Sequence, residues 1–379
     1  MTAERFDVLV IGGGMAGVSI GFELAADRRV LVADMEHTFA SHTTGRSAAM
    51  FVEGYGSPAI RALTAASRQH LARPRNDGPL LAPLGELTIG RPGHGPDVAE
   101  LYAQVRVHVP DAELLDGRQA RALQPLLRPD VVELALFEPR AMEIDVHALH
   151  QEFVRGLRAR GGVTAVDSAV GPAVRLGGAW AVTLSGARTV QAAVVVNAAG
   201  AWADQVAGRF GAGPVGLRAL RRTAFMIDAP PGAGRPGISD VHELFYIKPD
   251  AGRLLCSPGD ATPQEPGDPR PDELEIARAI DEINAATTLD VRHVRSAWAG
   301  LRNFVADGNP VVGFDPAVDG FFWFAGQGGY GIQTAPALAR AAAALARGEA
   351  LPIDLGDRGH AAAQLPPDRF ASPARTGRA

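Results

Sequence analysis

The sequence predicts an α/β fold in which a parallel sheet is assembled from discontinuous segments and carries a second, antiparallel layer. Three observations lead there: an apolar strand entering a glycine-rich turn and a helix near the N-terminus, the same order of elements near the C-terminus, and a stretch of short strands punctuated by proline and glycine between them.

Phe6–Ile11 reads FDVLVI, a nearly continuous apolar run of the kind buried on both faces of a parallel sheet. Gly12, Gly14 and Gly17 then form G-x-G-x-x-G, and Ala16, Ile20 and Leu24 recur at helical spacing, so the glycines open a helix. Val30–Ala33 is a second apolar strand ending at Asp34, 22 residues after Gly12, where a carboxylate can accept the ribose hydroxyls of an adenine dinucleotide. Gly12 permits the tight turn, Gly14 lets the backbone approach a pyrophosphate, and Gly17 allows helix and strand to pack closely. The free N–H groups at the helix start meet the phosphate charge. NAD and FAD share this fingerprint, so it predicts a dinucleotide without choosing between them.

Residues 38–49 are small and polar and read as a loop feeding a helix, Pro58–Leu71 as a helix, and Leu81–Ile89 and Val131–Phe137 as strands. Val146–Arg160 is helical in pattern, stops at Gly161 and Gly162, and is followed by a short strand near Val163–Val166. Val194–Val196 is a strand running into Asn197, Ala198, Ala199 and Gly200, whose small side chains permit close approach of a ligand. From about 215 to 299, strand-like segments such as Phe225–Asp228 and Leu244–Lys248 alternate with Pro/Gly-rich connections, which predicts the antiparallel layer. Phe321–Ala325 is a last strand, broken at Gly326–Gly329 before an alanine-rich helix from about Ile332 to Arg347. The end of the chain, from about 358, carries no periodicity and reads as a loosely attached tail.

The 379 residues suffice for two or three domains, and 46% hydrophobic with 21% charged residues is ordinary globular usage. A formal charge of -5 gives no global attraction for nucleic acid or anionic lipid, so small molecules are the expected partners. Val8–Leu24 fails as a signal peptide, because Glu4 and Asp7 spoil a basic start and Glu23 and Asp27 come before any plausible cleavage site; a cytoplasmic protein with no transmembrane segment is expected. A lone Cys256 forbids an internal disulfide, and neither the His147/His150 pair nor His242–Glu243 has a third ligand at metal spacing, so no metal is expected. The G-x-S-x-G string at Gly17–Gly21 falls inside a helix, which does not place Ser19 at a nucleophile elbow.

Taken together, VIGGGMAG, TTGRSAA at 43–49, VVVNAAGAWAD at 194–204, WAGLR at 298–302 and GQGGYGIQT at 326–334 resemble the FAD-dependent D-amino-acid oxidase, glycine oxidase and sarcosine oxidase superfamily over nearly the whole chain. Within it the chain looks most similar to bacterial D-arginine dehydrogenases, through TGRSAA, RALTAASR, FYIKPDAG, SAWAGLR and FVADG. The resemblance implies a Rossmann-like FAD-binding domain of discontinuous segments, 1–79, 141–214 and 300–365, plus an antiparallel-sheet substrate domain, 80–140 and 215–299, with 366–379 as tail. It implies non-covalent FAD contacts at Gly12, Gly14, Ala16, Gly17, Asp34, Met35, Gly45, Arg46, Ser47, Ala48, Val170, Ala199, Gly200, Trp202, Gly300 and Arg302. Gly328, Gly329, Tyr330, Gly331, Ile332 and Gln333 would approach the flavin ring.

The reaction so implied is oxidative deamination of a D-amino acid: hydride passes from Cα to flavin N5, and the imine hydrolyses to a keto acid. Arg222 and Arg302 would grip the substrate carboxylate, Tyr246 would hydrogen-bond it, Tyr55 would cover the site, and Gly329 and Gln333 would complete the contacts. Arg221 would face away from Arg222, since adjacent strand residues alternate. Glu86 matches a glutamate that pairs with a cationic substrate side chain, although a glutamate starting a strand is also commonly a solvated edge charge. Met50 and Val52 stand where the related dehydrogenases carry a histidine and a threonine, which makes the pocket more apolar and favours hydrophobic or aromatic side chains or an N-methylated amine. A secondary-amine oxidase, a 2-hydroxy-acid dehydrogenase and a regulatory flavin-binding protein remain as alternatives. The electron acceptor, oxygen, quinone or other, stays open.

Overall fold

The computed structural model describes residues 4–356 and 364–370. Its first sheet grows outward from Glu4–Ile11, which pairs in parallel with Val30–Ala33 on one side and with Arg188–Asn197 on the other. Side-chain alternation buries this strand on both faces: Leu9 and Ile11 point into one apolar cluster, Val8 and Val10 into another. Val163–Ala165 extends the sheet beyond Val30–Ala33, and Phe321–Ala325 pairs in parallel with the end of Arg188–Asn197. The hairpin Val170–Leu176 and Ala179–Leu184, which sequence patterning did not resolve, adds an antiparallel edge. Helices Met15–Leu24, Pro58–Leu71, Val146–Ala159 and Gly331–Arg347 pack together over one side of the sheet.

The second sheet has nine strands. Arg218–Asp228 pairs along its length with Ser296–Phe304 and near its start with the short Thr262–Pro263, and beyond it lie, in order, Arg253–Ser257, Tyr246–Asp250, Gly237–Asp240, Glu86–Gly90, Leu134–Glu138 and Glu113–Asp116. It is mixed rather than purely antiparallel, because Gly237–Asp240 runs parallel to Glu86–Gly90. One face packs its apolar residues, among them Phe225, Ile227, Ile247, Leu254 and Cys256, under the helix Glu273–Ala286. That helix escaped the sequence reading of 215–299; it starts at Asp272, whose carboxylate caps the N–H groups of Leu274 and Glu275.

Three further expectations need correction. Leu81–Ile89 is two strands, Leu81–Pro83 in a small three-stranded sheet and Glu86–Gly90 in the large one, separated at Gly85 with φ +70°. The segment boundary drawn at 300 cuts through Ser296–Phe304, so residues 300–304 belong to the large sheet. Residues 366–370 are docked rather than loose: Arg369 donates to Asp307 Oδ2 at 2.8 Å and to four backbone carbonyls, of Leu365, Pro366, Asn309 and Pro310. The remainder of that tail, 371–379, and residues 357–363 lie outside the described residues. No helix among the described residues is long and apolar enough to cross a membrane.

Candidate active site

Two adjoining cavities, of about 290 and 390 Å³, lie between the two sheets. The first begins where the parallel strands end. Gly12, at φ +108°, brings its backbone so close to Ala198 that a Cβ would stand 2.4 Å from the Ala198 carbonyl oxygen, and a Cβ on Gly17 would stand 1.8 Å from that of Gly12. These contacts pin strand, turn and helix together, as the motif predicts. The helix Met15–Leu24 has Gly14 at its N-cap with no side-chain cap, so its first N–H groups face the cavity apart from that of Met15, which donates to Thr44 Oγ1 at 2.9 Å. Asp34 sits beside the turn, accepting from Gly13 N–H at 2.5 Å and Glu36 N–H at 2.9 Å. Uncapped donors, an open glycine face and a carboxylate at the strand end suit a dinucleotide's pyrophosphate and ribose.

Of the expected cofactor residues, Gly12, Gly14, Ala16, Asp34, Met35, Arg46, Ser47, Ala48, Val170, Ala199, Gly200, Trp202, Gly300, Arg302, Gly328, Gly329, Gly331 and Ile332 line this first cavity. Four do not. Gly17 packs helix on turn. Gly45 allows close passage of the Ala40 carbonyl, which a Cβ would meet at 2.3 Å. Tyr330 packs instead against Tyr55, with ring centres 5.1 Å apart and planes tilted by 56°. Gln333, buried, accepts from Val52 N–H at 3.1 Å and donates to Thr64 Oγ1 at 3.0 Å, so its amide steadies the Val52–Gly56 segment at the edge of the second cavity. Sequence reading missed Thr44 and His42; the latter packs on Trp202 and bonds Glu36 Oε1 at 2.8 Å.

The second cavity is built on the free face of the large sheet. Register places Arg222 opposite Gly300 and Arg302 opposite Leu220, so the two arginines are diagonal neighbours on one face, roughly 7–8 Å apart at the backbone. Arg221 points to the other side, where Asp260 and Asp272 hold it at 3.0 and 2.9 Å. Tyr246 shares the arginines' face through its pairing with Ser257. Arg222, Tyr246, Arg302 and Gly329 line both cavities and therefore stand at their junction. A Cβ on Gly329 would come within 3.1 Å of Arg302 Cζ, so a side chain there would press on that guanidinium. Arg222 Nη2 donates to Glu243 Oε2 at 3.1 Å, the Tyr55 hydroxyl donates to Glu243 Oε1 at 3.4 Å, and Arg222 Nε is buried without a partner among the described residues. Burial works against the Arg302 charge, but Tyr55, Tyr246 and Glu243 hold its pKa above the ordinary arginine value. Burial likewise raises the phenols of Tyr55 and Tyr246, keeping them as donors.

Tyr55, Glu86, Met50 and Val52 all line this second cavity, Glu86 buried. Beside Glu86 lies Glu138, buried too, which nothing in the sequence singled out. Cys256 is buried, and burial pushes its thiol far up, as for an inert core residue. His242 does meet His94 and Asp97, whose ligand atoms lie within 4.8 Å of one another. The two imidazoles stack at 4.4 Å with planes only 7° apart, so their in-plane lone pairs do not converge on one ion.

Fold and site together define an oxidoreductase with a dinucleotide cavity opening onto a second pocket that carries two arginines at the junction. The chain belongs to the FAD dependent oxidoreductase (DAO) family, whose profile matches residues 7–345, and its dinucleotide is accordingly FAD. FAD-dependent oxidoreductase domain-containing protein 1 of Bos taurus is 26% identical over 400 residues, covering 90% of this chain and 81% of that protein. Among solved structures, glycine oxidase from Geobacillus kaustophilus superposes with a TM-score of 0.83 at 23% identity, covering 94% of this chain and 98% of the other. L-proline dehydrogenase from P. horikoshii superposes at 0.81 with 19% identity, covering 93% and 96%.

Proposed function

We propose that the protein catalyses oxidative deamination of a D-amino acid with an extended side chain. The observation that carries this reading is the diagonal pair Arg222 and Arg302, on one sheet face with Tyr246, at the junction of the FAD cavity and the second pocket. FAD, when bound, supplies the hydride acceptor. The chain's own residues bind and orient. Two guanidiniums and the Tyr246 hydroxyl grip the substrate carboxylate, and their positive field favours the neutral, reactive form of the neighbouring amine. Glu243 now occupies Arg222, so an entering carboxylate displaces it. The Tyr55 and Tyr330 rings form the apolar cover that excludes water. Met50, Val52, Leu101, Val105 and Leu136 make an apolar wall between the anchor and the far end of the pocket, suited to a run of methylenes.

The preference for the D configuration rests on the motif resemblance, and the glycine and proline in the names of the structural neighbours support an amino-acid substrate. The test is an anaerobic titration of the yellow holoenzyme. Bleaching by D-amino acids, and not by their L enantiomers, sarcosine or 2-hydroxy acids, is expected. Bleaching by sarcosine or a 2-hydroxy acid alone would replace this reading with one of the alternatives, and no bleaching by any of them would leave a binding role. Mixing the reduced protein with oxygen then separates an oxidase from a dehydrogenase.

A further inference from the structure

The sheet face that carries the arginines ends in the opposite charge. Glu86 and Glu138 are direct register partners on neighbouring strands, so both carboxylates project from the same face into the second cavity. Each is buried, at 4% and 5% exposure. Neither Glu86 oxygen has a hydrogen-bond partner of good geometry among the described residues, and Glu138 Oε2 accepts only the Gly54 N–H, at 2.9 Å. The cations nearby are committed elsewhere. Arg61 donates to the Gly54 carbonyl at 2.8 Å, and Lys248, itself buried, pairs with Glu143 and lies 3.6 Å from Asp250. Two adjacent buried carboxylates without a counter-ion are costly unless a ligand supplies the charge.

We infer that Glu138 is a specificity-determining residue: with Glu86 it forms a two-carboxylate seat for the cationic tip, ammonium or guanidinium, of a long amino-acid side chain. The inference rests on the reading of Arg222 and Arg302 as the carboxylate anchor. Four strand spacings separate the Arg222 strand from the Glu86 strand, roughly 19 Å along the sheet, so only an extended ligand touches both ends. An ammonium or guanidinium presents several N–H donors and satisfies two carboxylates at once. Burial pushes Glu86 up to about 7, and Glu138 adds to the rise, while Ser239 and Lys248 oppose it. Burial raises Glu138 to about 7 as well; Gly54 N–H and Arg61 act against the rise, Glu53 and Asp111 with it. The pair therefore retains a proton near neutrality, and an arriving cation expels it to solvent.

The test uses holoenzyme and two probes that share a four-carbon side chain and differ in the terminal ammonium, D-lysine and D-norleucine. The apparent Kd of each is read from anaerobic flavin-reduction rates. Wild type should prefer D-lysine, and Glu138→Gln, which keeps an acceptor for Gly54 N–H, should cut that preference at least tenfold while leaving D-norleucine within threefold. Glu86→Gln should do the same. With the flavin already reduced, D-lysine binding near pH 7 should release about one proton more than D-norleucine binding, and this excess should vanish in either variant. An unchanged preference in Glu138→Gln, or equal loss for both probes, overturns the inference. If D-norleucine reduces the flavin and D-lysine does not, the seat is refuted while the deamination reading stands; a flavin reduced by no D-amino acid refutes both.

Discussion

Replacing Arg222 by methionine removes one guanidinium from the junction of the two cavities while keeping most of its apolar stem. The Arg222 side chain is 12% exposed, so its bonds to an anion form largely out of water. A hydrogen bond to a charged group contributes about 1.5–3 kcal/mol, and each 1.4 kcal/mol is tenfold, so the amino acid's Kd should rise roughly 10- to 150-fold. Glu243 loses its partner in the variant, but that side chain is 55% exposed and water replaces the bond at little cost. The assay is anaerobic stopped-flow: Kd and limiting flavin-reduction rate for the best amino acid, and the same for its decarboxylated amine. The amine has no group for Arg222 to hold, so wild type and Arg222→Met should bind it alike. A change of less than threefold for the amino acid, or an equal loss for the amine, would show that Arg222 is not the carboxylate anchor.

Gly17→Ala drives a Cβ to 1.8 Å from the Gly12 carbonyl oxygen, so the turn must open and the purified variant should lack the flavin absorbance that wild type retains through gel filtration. Cys256 should react with iodoacetamide only after denaturation, and acid precipitation of the holoenzyme should leave all flavin in the supernatant; flavin in the pellet would indicate a covalent link. The folded-state carboxyls of Glu86 and Glu138 titrate near 7 against 4.5 in the unfolded chain, so folding takes up protons between those values. The stability of the ligand-free protein should therefore fall as pH rises from about 5 to 8, by up to roughly 3 kcal/mol per carboxyl, and the decline should flatten in Glu86→Gln, as seen in urea midpoints.

Local signals made the FAD half legible. The run from Phe6 to Asp34 carries strand, turn, helix and acid in one stretch, and all four occur where the sequence puts them. Phe321–Ala325 is equally clear, because five consecutive apolar residues, mostly aromatic and stopped by glycine, suit a fully buried strand. Register was not legible. Arg222 and Arg302 are eighty positions apart, and only the pairing of their strands sets them on one face. Glu138 follows an ordinary apolar strand and belongs to no motif, so its meeting with Glu86 depends on a pairing that patterning does not specify. Leu81–Ile89 was misread for a related reason: the apolar run continues through Pro83 and Gly85 although the chain there passes from one sheet to another.

The strand that carries Arg302 does not stop at the large sheet. The carbonyl of its next residue, Asn303, accepts the Gly328 N–H at 2.9 Å, joining the Arg302 strand to the loop before helix Gly331–Arg347. On the other side of the same strand, Thr43 Oγ1 donates to the Leu301 carbonyl at 2.8 Å and Trp298 Nε1 to that of Arg46 at 3.0 Å. Three separate stretches of chain are thus riveted at one corner, and the two layers cannot slide past each other there without breaking these links.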